Sequence, residues 1–203
     1  MNSDSAKSFA KIILLCAAAL LCNVGASFFA ARFLPSIFLD TVFTVAVTFY
    51  AGLVPGLIVA AAFNPLITFL YCRMQGAAFS VYDCLYAICG MLIVVATWFF
   101  SHNKKEFLFS RGVTALYLLA IAFSSAFLSF FAASALDTFV RPLFGSVSGF
   151  STFDSFSAVL RQMNIGTFLS YLIPRIPMTL LDRIVCTFAG FGIYRLAVKI
   201  KER

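Results

Sequence analysis

With 203 residues, 62% of them hydrophobic and 11% charged, and a mean hydropathy of +0.99, the chain lacks the polar surface that a water-soluble domain needs. Its net charge of +7 does not require nucleic acid, because the basic residues sit in short groups between long uncharged stretches, the pattern of a chain that crosses a bilayer. A single histidine, His102, and the absence of any glycine followed by lysine exclude a histidine-built metal site and a Walker-type phosphate loop.

The first uncharged stretch, Ile12 to Ala31, has 20 residues. That is the number a helix needs to cross about 30 Å of hydrocarbon, and it predicts a helix over 9–33. Lys7 and Lys11 before it resemble the basic region of a secretory signal, but the apolar run continues past signal length and is expected to be retained. From Thr41 to Cys72 there are 32 uncharged residues, too many for one crossing, and Gly52-Leu-Val-Pro55-Gly56 marks a turn near their middle. Two shorter helices are therefore expected over 35–51 and 55–71, followed by helices over 81–100 and 113–139.

The segment 176–196 is apolar enough to span although it contains Asp182 and Arg183, and charge placement supports it. Six crossings with a cytoplasmic N-terminus put Lys7, Lys11, Lys104, Lys105, Arg111, Arg195, Lys199, Lys201 and Arg203 inside, among them every lysine of the chain. Five crossings would strand the basic tail outside. The connection 141–171 is rich in Gly, Ser and Phe. Its middle, Phe153 to Leu172, is amphipathic, suited to lie on the membrane surface or to fold inward as a lid, with Pro174 and Pro177 breaking it from the last helix. The expectation is one all-α domain over 1–203: an integral membrane protein of six transmembrane helices in the plasma or inner membrane. Both termini are cytoplasmic, and an outer loop or lid joins the fifth and sixth helices.

Enzyme signatures are absent. Gly145-Ser-Val-Ser148-Gly149 has Val147 at the position a nucleophile would take and reads as a loop, and no catalytic residue, metal or cofactor is expected. The six cysteines fall in or beside predicted spans and read as small packing residues, with a Cys72–Cys84 disulfide left open.

The informative residues are polar groups within spans, where a central Asp or Arg costs about 2.5–3.5 kcal/mol. Asp40, Thr44, Thr48 and Gly52 share one face of the second helix, and Gly56, Ala60, Asn64, Thr68 and Cys72 share one face of the third. Tyr82, Asp83 and Tyr86 open the fourth helix, Ser125, Ser129, Ala133 and Asp137 line the fifth, and Arg175, Asp182 and Arg183 open the last. These groups lie in the outer half, which predicts a polar cavity open to the exterior and closed toward the cytoplasm. Asp182 and Arg183 are adjacent on a helix and so point about 100° apart, which predicts a different partner for each on another helix. Asp137, Arg141 and Arg73, at helix ends, read as interfacial charges. Small residues at Ala18, Cys22, Ala26 and Ala30, and at Gly52, Gly56 and Ala60, permit close helix approach, either within the bundle or against another subunit.

Pro35-Ser-Ile-Phe-Leu-Asp40-Thr-Val-Phe-Thr44, then Ala51-Gly-Leu-Val-Pro-Gly56 and Asn64-Pro65, resemble the N-terminal half of substrate-binding (S) components of energy-coupling factor transporters. Pro174-Arg-Ile-Pro-Met-Thr-Leu-Leu-Asp182-Arg183 is similar to the start of their last helix. The resemblance implies a membrane subunit that captures a vitamin or related micronutrient from outside. Such a subunit reorients when it docks on a transmembrane coupling subunit driven by two ATPase subunits. It further implies docking through small patches, whose nearest matches here are Ala18 with Cys22 and Gly56 with Ala60. Candidate ligand contacts are Asp40, Thr44, Asn64, Tyr82, Asp83, Tyr86, Arg175, Asp182 and Arg183. The alternative is a membrane sensor that passes ligand occupancy to a partner; the short tail after the last span, with no room for an output domain, weighs against it.

Overall fold

The computed structural model describes residues 3–34, 37–144 and 151–202, which form helices, turns and short extended stretches with no β-strand among them. Helix α1 covers Ser3–Phe33, α2 Val42–Ala51, α3 Leu53–Gln75, α4 Val81–Cys84, α5 Ala87–Ser101 and α6 Lys104–Phe107. Helix α7, Arg111–Ala135, runs through a π-turn at Leu136–Val140 into α8, Arg141–Phe144; α9 is Ser151–Gln162 and α10 is Thr167–Lys201. Five helical stretches, Ala10–Phe33, Leu53–Gln75, Val81–Ser101, Arg111–Phe144 and Thr167–Lys201, are long and apolar enough to cross a bilayer. The chain is a multi-pass membrane protein. Its outward surface agrees, since Leu14, Val54, Leu116, Phe127 and Leu196 are all exposed, a distribution suited to lipid rather than water.

The second expected helix is only partly there. Residues 37–41 are not helical, and α2 has 10 residues, about 15 Å, half the hydrocarbon thickness. Leu39 takes φ +50°, an uncommon conformation for a side-chain-bearing residue. Gly52 (φ +90°) then separates α2 from α3 by a single residue, a backbone that glycine adopts without strain. The third expected helix extends to Gln75, where Gly76 ends it in the left-handed conformation (φ +64°) and Ala77 N–H returns to Cys72 O. The fourth is interrupted after Cys84. Ser80 accepts the Asp83 N–H to start α4, and Ser110 likewise accepts Val113 N–H to start α7.

Pro174 and Pro177 do not break the last helix. Each removes one backbone hydrogen bond, but α10 runs 35 residues without interruption because it is held along its length by α7 and α2. The connection 141–171 is correspondingly more helical than a loop: α8 and α9 occupy its described part, and α10 begins inside it. Gly145 to Phe150, with the Gly-Ser-Val-Ser-Gly segment, lies outside the described residues. In the bundle α5 packs on α7 and α3, α1 on α2 and α3, and α9 on α10.

The two ends of the bundle differ. At one end, called here the basic end, Val45, Phe49, Ile93, Phe107, Leu118, Ile121 and Tyr194 form an apolar core. Lys104 reaches into it, donating to Phe49 O at 3.0 Å and standing over the rings of Phe49, Phe107 and Tyr194. Burial lowers the Lys104 pKa from its ordinary range, and the rings and the carbonyl oppose that effect. The other end carries the ion pairs described next. Gly190, midway along α10, lets that helix meet α2: a Cβ there would lie 2.7 Å from Val42 O and 2.9 Å from Val45 Cγ1. Gly56 and Ala60, expected to dock a partner, are buried instead. A Cβ on Gly56 would meet Thr48 Oγ1 at 2.3 Å, and Ala60 lies against Gly90 of α5. Ala18 and Cys22 remain on the exposed face of α1. The six cysteines are free thiols, so the Cys72–Cys84 disulfide is not formed; Cys72 Sγ donates to Ala78 O and Cys84 Sγ to Ser80 O.

Candidate ligand-binding site

Two buried ionic clusters occupy the end opposite Lys104, both built on α10. Arg175 and Arg183 are two turns apart on it, about 12 Å along the axis.

Arg175 pairs with Asp137 in the π-turn that follows α7. The same carboxylate accepts the Tyr82 hydroxyl at 2.5 Å and the Tyr86 hydroxyl at 2.7 Å, and the two rings meet edge to face. Arg175 also lies 3.5 Å from the Tyr86 hydroxyl, and its guanidinium stacks over the Tyr86 ring. Asp137 is 2% exposed, so it is no interfacial charge but the acceptor around which four helical segments converge. Arg141, one turn on, is 4.0 Å from Asp137 and makes a two-pronged pair with Asp154 of α9 at 2.7 and 3.0 Å. It too belongs to the network, tying Asp137 to α9. Arg73 is exposed near the end of α3, with its guanidinium over the Phe69 ring.

Arg183 gathers Asp40, Thr41 and its own neighbour Asp182. Adjacent residues were expected to seek separate partners on different helices. The correction follows from the broken second helix: the non-helical strand 37–41 passes across this face of α10 and serves both side chains. Asp182 Oδ1 accepts the N–H groups of Phe38 (2.7 Å) and Leu39 (3.0 Å), while the long guanidinium of Arg183 folds back to Oδ2. In lipid those two N–H groups have no water to turn to, so Asp182 is what allows the chain to leave the helical conformation there. The carboxylates of Asp40 and Asp182 and the thiol of Cys186 offer atoms within 4.8 Å of one another, but the Arg183 guanidinium already fills the place of a cation.

Thr44, expected to face a cavity, is bonded to Asn23. Asn23 Nδ2 donates to Thr44 Oγ1 at 2.7 Å, and its Oδ1 accepts Phe43 N–H at 2.9 Å, so α1 caps the start of α2 across the helix interface. Asn23 is fully buried and is the one amide in the uncharged part of α1, a signal that could have singled it out. Asn64 is half-buried on α3, away from the hydrogen-bonded clusters. Asp83 begins the α4–α5 segment with one carboxylate oxygen buried and unbonded. Of the nine expected contacts, Tyr82, Tyr86 and Arg175 thus meet in one cluster and Asp40, Asp182 and Arg183 in the other. Asp137, Thr41 and Arg141 join them unexpectedly, and Asn23 binds Thr44 apart from both clusters.

Of the polar groups expected to line an open chamber, Asp40, Tyr82, Tyr86, Arg175, Asp182 and Arg183 are engaged in the two clusters. A concavity lies elsewhere, an apolar groove of about 580 Å³ between α7 and α10, lined by Phe123, Phe127, Phe130, Ile176 and Leu180. Its lining suits an acyl chain rather than a polar solute.

No family model, curated protein or solved structure matches the chain.

Proposed function

We propose that this chain is the membrane-embedded, high-affinity binding subunit of an uptake system of the energy-coupling factor kind, taking up a vitamin or related micronutrient. The observation that carries the reading is the concentration of buried charge at one end: Asp137, Arg175, Asp182 and Arg183 are all at least nine-tenths buried there. Two breaks in helical regularity adjoin these residues, namely the non-helical segment before α2 and the π-turn after α7. Irregular backbone within a membrane recurs where a solute is held.

In this reading the ion-pair end faces outward and the basic end the cytoplasm, in keeping with the positive-inside bias. The strand and α2 together make the second of six crossings, and both termini are cytoplasmic. The ion pairs are the unliganded, closed arrangement; Asp40, Tyr82, Asp83, Tyr86, Arg175, Asp182 and Arg183 exchange some of their mutual bonds for bonds to a flat heterocycle with one or two polar groups. Ala18 and Cys22 are the docking patch for a transmembrane coupling subunit, which two ATPase subunits drive.

Purification in mild detergent followed by mass spectrometry of bound small molecules tests this directly. A vitamin-like compound retained by the wild-type protein, and bound more weakly by at least about 2 kcal/mol in Asp40→Ala or Arg183→Ala, is the expected result. A folded protein that arrives empty, binds no member of a vitamin panel and never co-purifies with a coupling subunit would falsify the proposal.

A further inference from the structure

Helix α9 has three distinct faces. Ser157 is fully buried, and Asp154 beside it is held by Arg141; this side rests on the bundle. Arg161 strengthens the seat, donating from Nε to Ser157 O and standing 5.4 Å over the ring of Tyr171 on α10. On a second face Phe156, Val159 and, just past the helix end, Met163 fall within about 60° of arc. They are 58%, 54% and 67% exposed. On the third face Gln162 and Ser155 lie within about 20° of one another and are also exposed.

A helix that merely covers a polar site needs two faces, one apolar and inward, the other polar and outward. Here the inward face is the polar one and the apolar stripe looks away from the protein, an arrangement unfavourable in water. The helices on either side of α9 in the chain also present apolar residues outward, since Leu143 of α8 and Leu169 of α10 are 81% and 49% exposed. Both flanking helices belong to stretches long and apolar enough to span.

We infer that α9 is an interfacial membrane anchor: its Phe156–Val159–Met163 stripe enters the bilayer at the ion-pair end, its Gln162 face meets water, and its Ser157 face is tied to the bundle. The partner is the lipid surface, with the apolar side chains roughly 5–10 Å below the headgroup boundary. The Arg141–Asp154 pair then couples the level of the anchor to Asp137, through the same guanidinium. This inference does not depend on the transport reading, because it concerns what covers an apolar face and not what the clusters bind.

The chain has one tryptophan, so Trp98→Phe gives a dark background into which Phe156→Trp or Gln162→Trp places a single reporter. In phosphatidylcholine vesicles, Phe156→Trp fluorescence is expected to be quenched several-fold more by lipids brominated near the headgroup than by aqueous iodide, with the order reversed for Gln162→Trp. Quenching of Phe156→Trp by iodide alone overturns the inference in favour of a water-covered lid. Shielding from both quenchers overturns it in favour of a protein partner. A measurement on the unaltered protein guards against misfolded variants: irradiation in vesicles containing a diazirine-tailed phosphatidylcholine should leave adducts on the peptide covering Phe156–Met163. Adducts on α7 and α10 with none on that peptide count against the anchor.

Discussion

The two ends of the bundle hold buried cations by opposite means. At the ion-pair end Arg175 and Arg183 face carboxylates, and the backbone around them abandons regular helix. At the basic end Lys104 pairs with no carboxylate among the described residues; three aromatic rings and the Phe49 carbonyl, near the negative end of the α2 dipole, surround its ammonium. The contrast separates an arrangement that can exchange partners from one that cannot. A guanidinium shared among carboxylates and phenols has other bonds to offer when a ligand arrives, whereas an ammonium seated among rings is part of the packing. Under the proposed function, capture falls at the ion-pair end and closure at the basic end.

The sharpest break in that comparison comes from Arg175→Ala, which leaves Asp137 buried and uncompensated; a loss of about 3–5 kcal/mol is expected, read as a lowered unfolding temperature in detergent. Asp137→Asn keeps an oxygen for the tyrosine bonds but leaves Arg175 without its counter-charge, and a loss of similar size is expected. Next is Asp182→Ala, expected to cost about 2–3 kcal/mol because Phe38 and Leu39 N–H lose their acceptor. Increased hydrogen exchange confined to residues 37–41 would be its signature, and unchanged exchange there would remove Asp182 from its capping role. Gly190→Ala probes the packing between the ends: with Val42 O only 2.7 Å from the added Cβ, α10 must shift from α2 at about 1–3 kcal/mol. Smallest is Lys104→Met, about 0.5–1 kcal/mol, with ligand affinity untouched. Should Lys104→Met weaken binding as much as Arg183→Ala, the functional distinction between the ends would disappear.

Membrane spans were legible because the bilayer forces them. Uncharged runs such as Ile12–Ala31 and the 25 residues Gly112–Leu136 have few other solutions once backbone groups must be satisfied internally. Helix boundaries were less so. The signal for two crossings between Thr41 and Cys72 was sound in locating Gly52 but gave no hint that the strand 37–41 stays unwound, since that depends on a carboxylate 143 or 144 residues away in sequence. Local proline chemistry predicted a break at Pro174 that packing along α10 overrides.

Candidate residues divide in the same way. A charge within a span declares itself by its cost, and so Asp40, Asp182, Arg183 and Arg175 could be picked out one at a time. Pairing is a property of space. Asp137 looked interfacial because it stands near the end of an apolar run, and only the π-turn and the approach of α10, Tyr82 and Tyr86 make it the centre of a cluster. Gly56 and Ala60 looked like a docking stripe for the converse reason: smallness permits close contact but does not say with which neighbour, and α2 and α5 take it up. Sequence alone determined that this protein lives in a bilayer and which of its polar groups are costly there, because hydrophobic length and desolvation act residue by residue. The tertiary structure decided which charges meet, where the second helix unwinds and which way α9 turns its apolar stripe, because those outcomes rest on contacts between segments that the chain order leaves far apart.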